Sequence, residues 1–173
     1  MLPDYLAPNL DIIFVGINPG EYSDRVGHYF ARPANQFWTA LNASKLVPEP
    51  LKPEDDYRLP QFGLGLTDLV RRATRNASYL TEEELVEGGR LLQAKLLPLE
   101  PRLICFVGLV GYRQAYDRNA ALGLQQARWS RAHLWIVPST SPRNAYYRAE
   151  IVNWFRRLKP YLEQLKRQDI QRS

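Results

Sequence analysis

The chain has 173 residues, of which 45% are hydrophobic and 24% charged, with a net charge of +5. These are globular values in a length that fits one domain with a sizeable core. No apolar run approaches the roughly 20 residues of a membrane span. The single cysteine excludes a disulfide framework, a four-cysteine zinc site or a cysteine-ligated iron–sulfur cluster within the chain.

In chain order, residues 12–17 read I-I-F-V-G-I, a short β-branched run suited to a buried strand over about 11–17. It stops at Asn18-Pro19-Gly20. Ligands of open α/β sheets bind just beyond the carboxyl ends of the strands, so Asn18 is placed where chemistry is expected. Pro19 restricts Asn18 to an extended backbone, and the same tripeptide also suits an ordinary turn. A loop is expected over 18–33, then a helix over 34–46 with Phe37, Leu41 and Trp38 inward. Four prolines and many charges over 48–60 predict a surface connection. Residues 62–70, F-G-L-G-L-T-D-L-V, predict a short strand or turn.

Thr81 and Glu84 form a capping box for a helix from 82 to about 97, with Leu85, Leu92 and Leu96 inward and Pro98 after its end. Residues 102–107 predict a second strand, with Cys105 as a core thiol rather than a nucleophile. A turn at Gly108–Gly111 leads into a helix to about 120, and H-L-W-I-V at 133–137 predicts a third strand. The last helix begins near Arg148, with Ile151, Trp154, Phe155, Leu158, Leu162 and Leu165 at helical spacing. Pro160 is expected to kink or divide it, and a basic tail over about 167–173 is expected to fray. Strands alternating with helices predict an α/β fold with a mostly parallel sheet covered on both faces, in a single domain spanning 1–173.

No carboxylate occurs between Asp117 and Glu150, whereas Arg118, Arg128, Arg131, Arg143, Arg148 and His133 do. Such a segment favours a polyanion, or is a solvated face with no partner. No phosphate loop of the G-x-x-x-x-G-K type is present. The amino-terminal residues lack the pattern of a signal peptide. A cytoplasmic chain, nucleoid-associated in a bacterial cell, is expected, with no metal.

Four motifs in order carry a resemblance: G-I-N-P-G at 16–20, G-H-Y-F-A-R-P-A-N-Q-F-W at 27–38, G-L-T-D-L-V-R-R at 65–72 and P-S-T-S-P-R-N at 138–144. E-G-G-R at 87–90 adds to them. From about Leu6 to Leu165 the chain resembles the mismatch-specific uracil-DNA glycosylases and the related thymine-DNA glycosylases of the uracil-DNA glycosylase superfamily. The resemblance implies a three-layer α/β/α sandwich and a monomeric, monofunctional glycosylase. It would flip uracil, thymine or another damaged pyrimidine out of double-stranded DNA with a G·U or G·T mismatch, and leave an abasic site without a cofactor.

Carried onto this chain, the resemblance makes Asn18 the amide that orients the attacking water. Backbone N–H groups near Ile17 and Phe30 hold the base oxygens, and Phe30 stacks on the base. Ser23 is the small residue near the C5 edge of the base, and Ser139 sits at the pocket. Arg143 is the wedge that fills the vacated stack, stiffened by Pro142. The fourth motif is closer to the thymine-type P-S-S-S-A-R than to the bacterial N-P-S-G-L-S-R. Phe30 has a second reading as a core residue and Arg143 as one more exposed arginine. Asp68 either accepts the proton of water or stabilises the sugar cation, or else it is a helix cap or a surface ion pair with Arg71 or Arg72. Asp24 is a weaker acid candidate. The alternatives to a glycosylase are a catalytically weak damaged-DNA-binding module and a small-molecule nucleoside N-glycosidase.

Overall fold

The computed structural model describes residues 1–143 and 148–172. Five strands form one sheet in the order β2-β1-β3-β5-β4. Strands β1 (Ile12–Gly16), β2 (Leu64–Asp68), β3 (Leu103–Val107) and β5 (Ala132–Val137) run parallel, and β4 (Gly123–Trp129) pairs antiparallel with β5 at the edge. All residues of β1, β2 and β3 are buried. Near-continuous apolar runs are what a sheet covered on both faces requires.

Alternation along each strand divides the core in two. Ile12, Phe14, Leu103, Cys105, Trp135 and Val137 face one layer, and Ile13, Val15, Ile104, Phe106, Leu134 and Ile136 the other. On the first face lie α2 (Phe37–Ala43), α5 (Arg148–Arg156) and α6 (Leu158–Arg172), which supply Phe37, Trp38, Leu41, Phe155, Leu158 and Leu162. On the second lie α3 (Glu82–Leu96) and α4 (Leu109–Ala115), which supply Leu85, Leu92, Leu96 and Tyr112. The expected α/β/α sandwich is therefore what forms. Because α2 and α4 leave on opposite faces, neighbouring β1 and β3 form the switch point of the sheet, where a crevice opens beyond the strand ends. No helix of the described residues is long and apolar enough to cross a membrane.

Several expectations are corrected. The 18–33 segment holds a short helix, α1 (Glu21–Val26), between two glycines. The proline-rich 48–60 segment is no mere surface connection. A 3₁₀ helix over Pro53–Phe62 buries Asp56 and Leu59. Of the strand and turn expected for the glycine-rich 62–70 segment, the strand is what forms, as β2. Helix α4 ends at Ala115 rather than 120, and β4 was not foreseen. Pro160 does divide the last helix, in that α5 and α6 meet at Arg157 with Pro160 in the first turn of α6, where a proline costs least. The segment from 167, for which fraying is expected, continues α6 to Arg172, and Asp169 on it pairs with Arg102 at 2.8 Å. Ser173 lies outside the described residues.

Candidate functional site

Beyond the carboxyl ends of β1 and β2 the chain continues to pair. Leu69 N–H donates to Gly16 O and Val70 N–H to Ile17 O, both at 2.8 Å. Thr74 N–H donates to Pro19 O at 3.1 Å, and Glu21 N–H to Thr74 O at 3.0 Å. These bonds clamp the Asn-Pro-Gly turn along the stretch 69–74 that follows β2. The Asn18 amide is fixed in turn: its Nδ2 donates to Arg72 O at 2.9 Å and to Thr74 Oγ1 at 2.7 Å. Thr74 Oγ1 passes its own proton to Asn76 O at 2.7 Å, so it can only accept from Asn18. The Arg72 side chain is held by two bonds to the Glu84 carboxylate, at 2.7 and 3.0 Å. With both amide protons committed, Asn18 presents its carbonyl Oδ1, which has no partner among the described residues. An open depression of about 310 Å³, lined by Glu21, Arg72, Thr74, Arg75 and Tyr79, lies beside this anchor.

Asp68 is the register partner of Gly16 and is 4% exposed. Its Oδ2 is buried with no hydrogen bond among the described residues. Burial pushes its carboxyl up to about 7, against the charges of Arg71 and Lys95 and with that of Asp4. The reading of Asp68 as a helix cap or surface ion pair is therefore wrong. Arg71 is engaged by Asp4 and Arg72 by Glu84. A buried carboxyl with an unpaired oxygen costs stability, and such groups cluster where acid–base chemistry is done.

Phe30 has φ +51°, a left-handed backbone that a bulky residue adopts only when its surroundings force it. The surroundings do so on both sides. Tyr29 N–H donates to Asp56 Oδ2 at 3.0 Å, Trp38 Nε1 donates to Tyr29 O at 2.9 Å, and Ala31 N–H donates to Ser23 Oγ at 3.0 Å. The Phe30 ring stacks on Phe37 at 4.2 Å between centroids and reaches Gly16. It is only partly buried, whereas its neighbour Tyr29 is 1% exposed. The backbone N–H groups of Ile17 and Phe30 make no hydrogen bond among the described residues. Ser23 itself is buried on α1 with its hydroxyl committed to Ala31, so it shapes the loop that carries Phe30. Asp24, the weaker acid candidate, lies on the same helix with the amino-terminal amine as its ion-pair partner.

At the switch point Ile17 packs where a side chain on Gly108 or Gly111 would collide, at 3.1 and 3.0 Å from a Cβ, and Ser139 borders Gly108. Two local bonds shape the loop after β5: Ser141 N–H to Ser139 Oγ at 3.2 Å and Arg143 N–H to Ser141 Oγ at 3.3 Å. Gln36 N–H ties that loop to α2 through Thr140 O at 2.9 Å. Pro142 and Arg143 are exposed, and Asn144 of the same motif lies outside the described residues.

The structure thus brings Gly16, Asp68 and Phe30 into contact, sets Asn18 beside them on the chain, and joins Ile17 to Ser139 through Gly108. It does not gather the arginine-rich segment. Arg118 pairs with Glu82, and Arg128 and Arg131 turn onto the carbonyls of Arg131 and Glu100 at the β4–β5 hairpin, which precedes β5 at the far end of the sheet. Arg143 lies on the loop that follows the carboxyl end of β5, and Arg148 opens α5. Asp56, which fixes Tyr29 and bonds His28 Nδ1 at 3.2 Å, was missed, since nothing distinguishes it from its acidic neighbours in P-E-D-D. The E-G-G-R match has a packing reason: a Cβ on Gly88 would lie 2.4 Å from Leu69 O, so the glycine lets α3 approach the turn after β2.

A model of the uracil DNA glycosylase superfamily matches residues 3–166. Among solved structures the chain is similar to the solution NMR structure of a Methanosarcina acetivorans protein described as a "putative Uracil DNA glycosylase". The TM-score is 0.59 and the identity 23%, over 91% of this chain and 96% of that one. At that identity the likeness establishes the fold.

Proposed function

The chain belongs to the uracil DNA glycosylase superfamily, and from that premise we propose that it is a monofunctional, mismatch-directed DNA glycosylase. It acts as a monomer on double-stranded DNA carrying G·U or G·T and excises the flipped pyrimidine. The observation that carries this reading is the Asn18 amide at the carboxyl end of β1, whose two protons are committed to Arg72 O and Thr74 Oγ1 so that its carbonyl is left to accept.

In the reaction a water oxygen bonds to the sugar C1′ as the C1′–N bond breaks, and the bonding electrons leave with the base. Asn18 Oδ1 accepts a hydrogen bond from that water and aims it, because an amide cannot take its proton at neutral pH. The proton passes to the Asp68 carboxylate, whose placement near neutrality suits a base. The N–H groups of Ile17 and Phe30 receive the charge that develops on the base oxygens, and Phe30 stacks on the ring. Ser139 borders the base. Arg143, on a loop stiffened by Pro142, enters the stack left open by flipping, where unstacking costs a few kcal/mol. Ser23 acts on base choice through the loop it holds.

The test is incubation with duplexes carrying G·U, G·T or A·U, with single-stranded uracil DNA and with free deoxyuridine, followed by alkaline strand cleavage or release of base. Alkali-labile sites on G·U duplexes under single-turnover, low-salt conditions are expected. Their absence would overturn the reading, and hydrolysis of deoxyuridine alone would replace it with a nucleoside N-glycosidase.

A further inference from the structure

The amino-terminal segment runs along the outer edge of β2. Tyr5 and Leu66 exchange two backbone hydrogen bonds of 2.9 Å, and Tyr29 donates its hydroxyl to Pro3 O at 2.8 Å. Between these ties the Asp4 carboxylate enters a cluster of charges beneath the site. Its Oδ1 accepts from the Thr67 hydroxyl at 2.6 Å and from Arg71, and its Oδ2 from Lys95 Nζ at 2.8 Å. Lys95 also donates to Thr67 Oγ1 at 3.3 Å, and Arg71 to Leu2 O. Thr67 is fully buried and precedes Asp68 in the chain. Arg71 follows β2 and Lys95 lies on α3, so three separate parts of the chain meet on one carboxylate.

We propose that Asp4 is a positioning residue for Asp68: by gathering Arg71, Lys95 and Thr67 onto itself it fixes how much cationic charge the Asp68 carboxyl faces. The proposal rests on the reading of Asp68 as the proton acceptor for its effect on rate, but not for the electrostatic coupling itself. The charges that act on the Asp68 carboxyl are those of Arg71 from the turn after β2, Lys95 from α3 and Asp4 from the amino-terminal segment, and Asp68 in turn acts on the Tyr29 phenol from the loop after α1. Gly16 and Phe30 face it without charge. Tyr29 stays neutral, since burial and then the charges of Asp68 and Asp4 raise its hydroxyl well above the ordinary range. Asp4 stays ionised. Burial works to raise its carboxyl, but the hydrogen bonds from Lys95 and Thr67 and the charges of Lys95 and Arg71 outweigh that and hold it below its ordinary value.

Asp4 therefore offsets two cations that otherwise favour ionised Asp68. Nearby opposite charge favours the ionised carboxyl, so loss of its counterweight has a definite sign. In Asp4→Asn the Asp68 titration is expected to move down by about one unit. In Lys95→Met one cation is gone and the titration is expected to move up by a similar amount. Loosening of the segment predicts no such opposite shifts.

The experiment follows the Asp68 carboxyl by carbon-detected NMR titration in the full chain, for the parent, Asp4→Asn and Lys95→Met, with single-turnover pH profiles alongside. The acidic limb of the rate should follow the carboxyl, so that Asp4→Asn is about fivefold faster than the parent near pH 6. Carboxyl shifts of the same sign, or both below about 0.3 units, overturn the role of Asp4. Opposite shifts in the carboxyl with an unmoved rate profile retain the role of Asp4 and overturn Asp68 as the base. Should Asp4→Asn not fold, Lys95→Met alone decides, since an unmoved or downward titration in it contradicts the proposal.

Discussion

A methyl group on Gly16 would lie 2.5 Å from Asp68 Oδ1 and 3.3 Å from Phe30 Cζ. The glycine is needed for space, not for backbone freedom. It lets a carboxylate and an aromatic ring close on the end of β1 together. In Gly16→Ala one of the two must move. A displacement of about 1 Å at a reacting centre can cost about 100-fold, so the single-turnover rate is expected to fall by about that factor. DNA affinity should change little. A variant with the parent rate would show that neither neighbour needs its present position.

Asp68→Asn separates catalysis from stability. The folded-state value near 7 lies above the ordinary 3.8. Between those pH values the folded chain keeps a proton that the unfolded chain has lost, so stability falls as pH rises from 4 to 7. The penalty is at most about 4 kcal/mol above pH 7 and vanishes below pH 4, at about 1.4 kcal/mol per unit. Asn carries no charge to desolvate. Asp68→Asn should therefore melt higher than the parent at pH 8, with the difference closing towards pH 4, while its chemical rate falls at least about tenfold and loses the acidic limb. A lower melting point at pH 8 would mean that the carboxylate has a partner in the fold.

Asn18→Ala should abolish excision and leave DNA binding within a few fold, since the amide positions water and does not meet phosphate. The anchor gives a finer test. Thr74→Val removes the acceptor that orients Nδ2 and leaves Asn18 in place. An intermediate loss of rate, about tenfold, is expected from the freed amide. Equal rates in Thr74→Val and the parent would show that Arg72 O alone suffices.

Arg143→Ala should weaken binding to a mismatched or abasic duplex more than to an undamaged one, because a wedge acts only after flipping. Competition titrations at fixed salt measure both. Equal losses would make Arg143 an ordinary phosphate contact.

The strands β1, β3 and β5 were legible because buried strands read as near-continuous apolar runs, broken in β5 only by His133. Strand β2 was left between strand and turn, since Gly65 within it and Gly63 just before it mask the run. Edge strand β4 was missed: L-Q-Q-A-R exposes most of its side chains and has no apolar signature. Helix α1 was missed because six residues between glycines hold no apolar stripe. At the site, Asn18, Asp68 and Phe30 could be named from motifs, but not the partners that aim them. Thr74, Asp56 and Asp4 act through contacts 27 to 91 residues distant in sequence, which no local pattern records. The arginine segment left two readings open, and the sequence alone does not say where its members lie in the fold. Residues adjacent in sequence are divided between the two ends of the sheet, and several already have partners.

Cys105 is fully buried at the centre of β3, with its thiol pushed well above its ordinary value by that burial. A disulfide reagent needs the thiolate and a path to it, and the intact sheet provides neither. Labelling can proceed only when β3 separates from β1 and β5, which requires the whole core to open. The chain thus carries an internal clock for its own global unfolding. The rate of thiol capture under native conditions, measured with and without duplex DNA, would give the free energy that the bound duplex adds to the fold, with no probe to be engineered in.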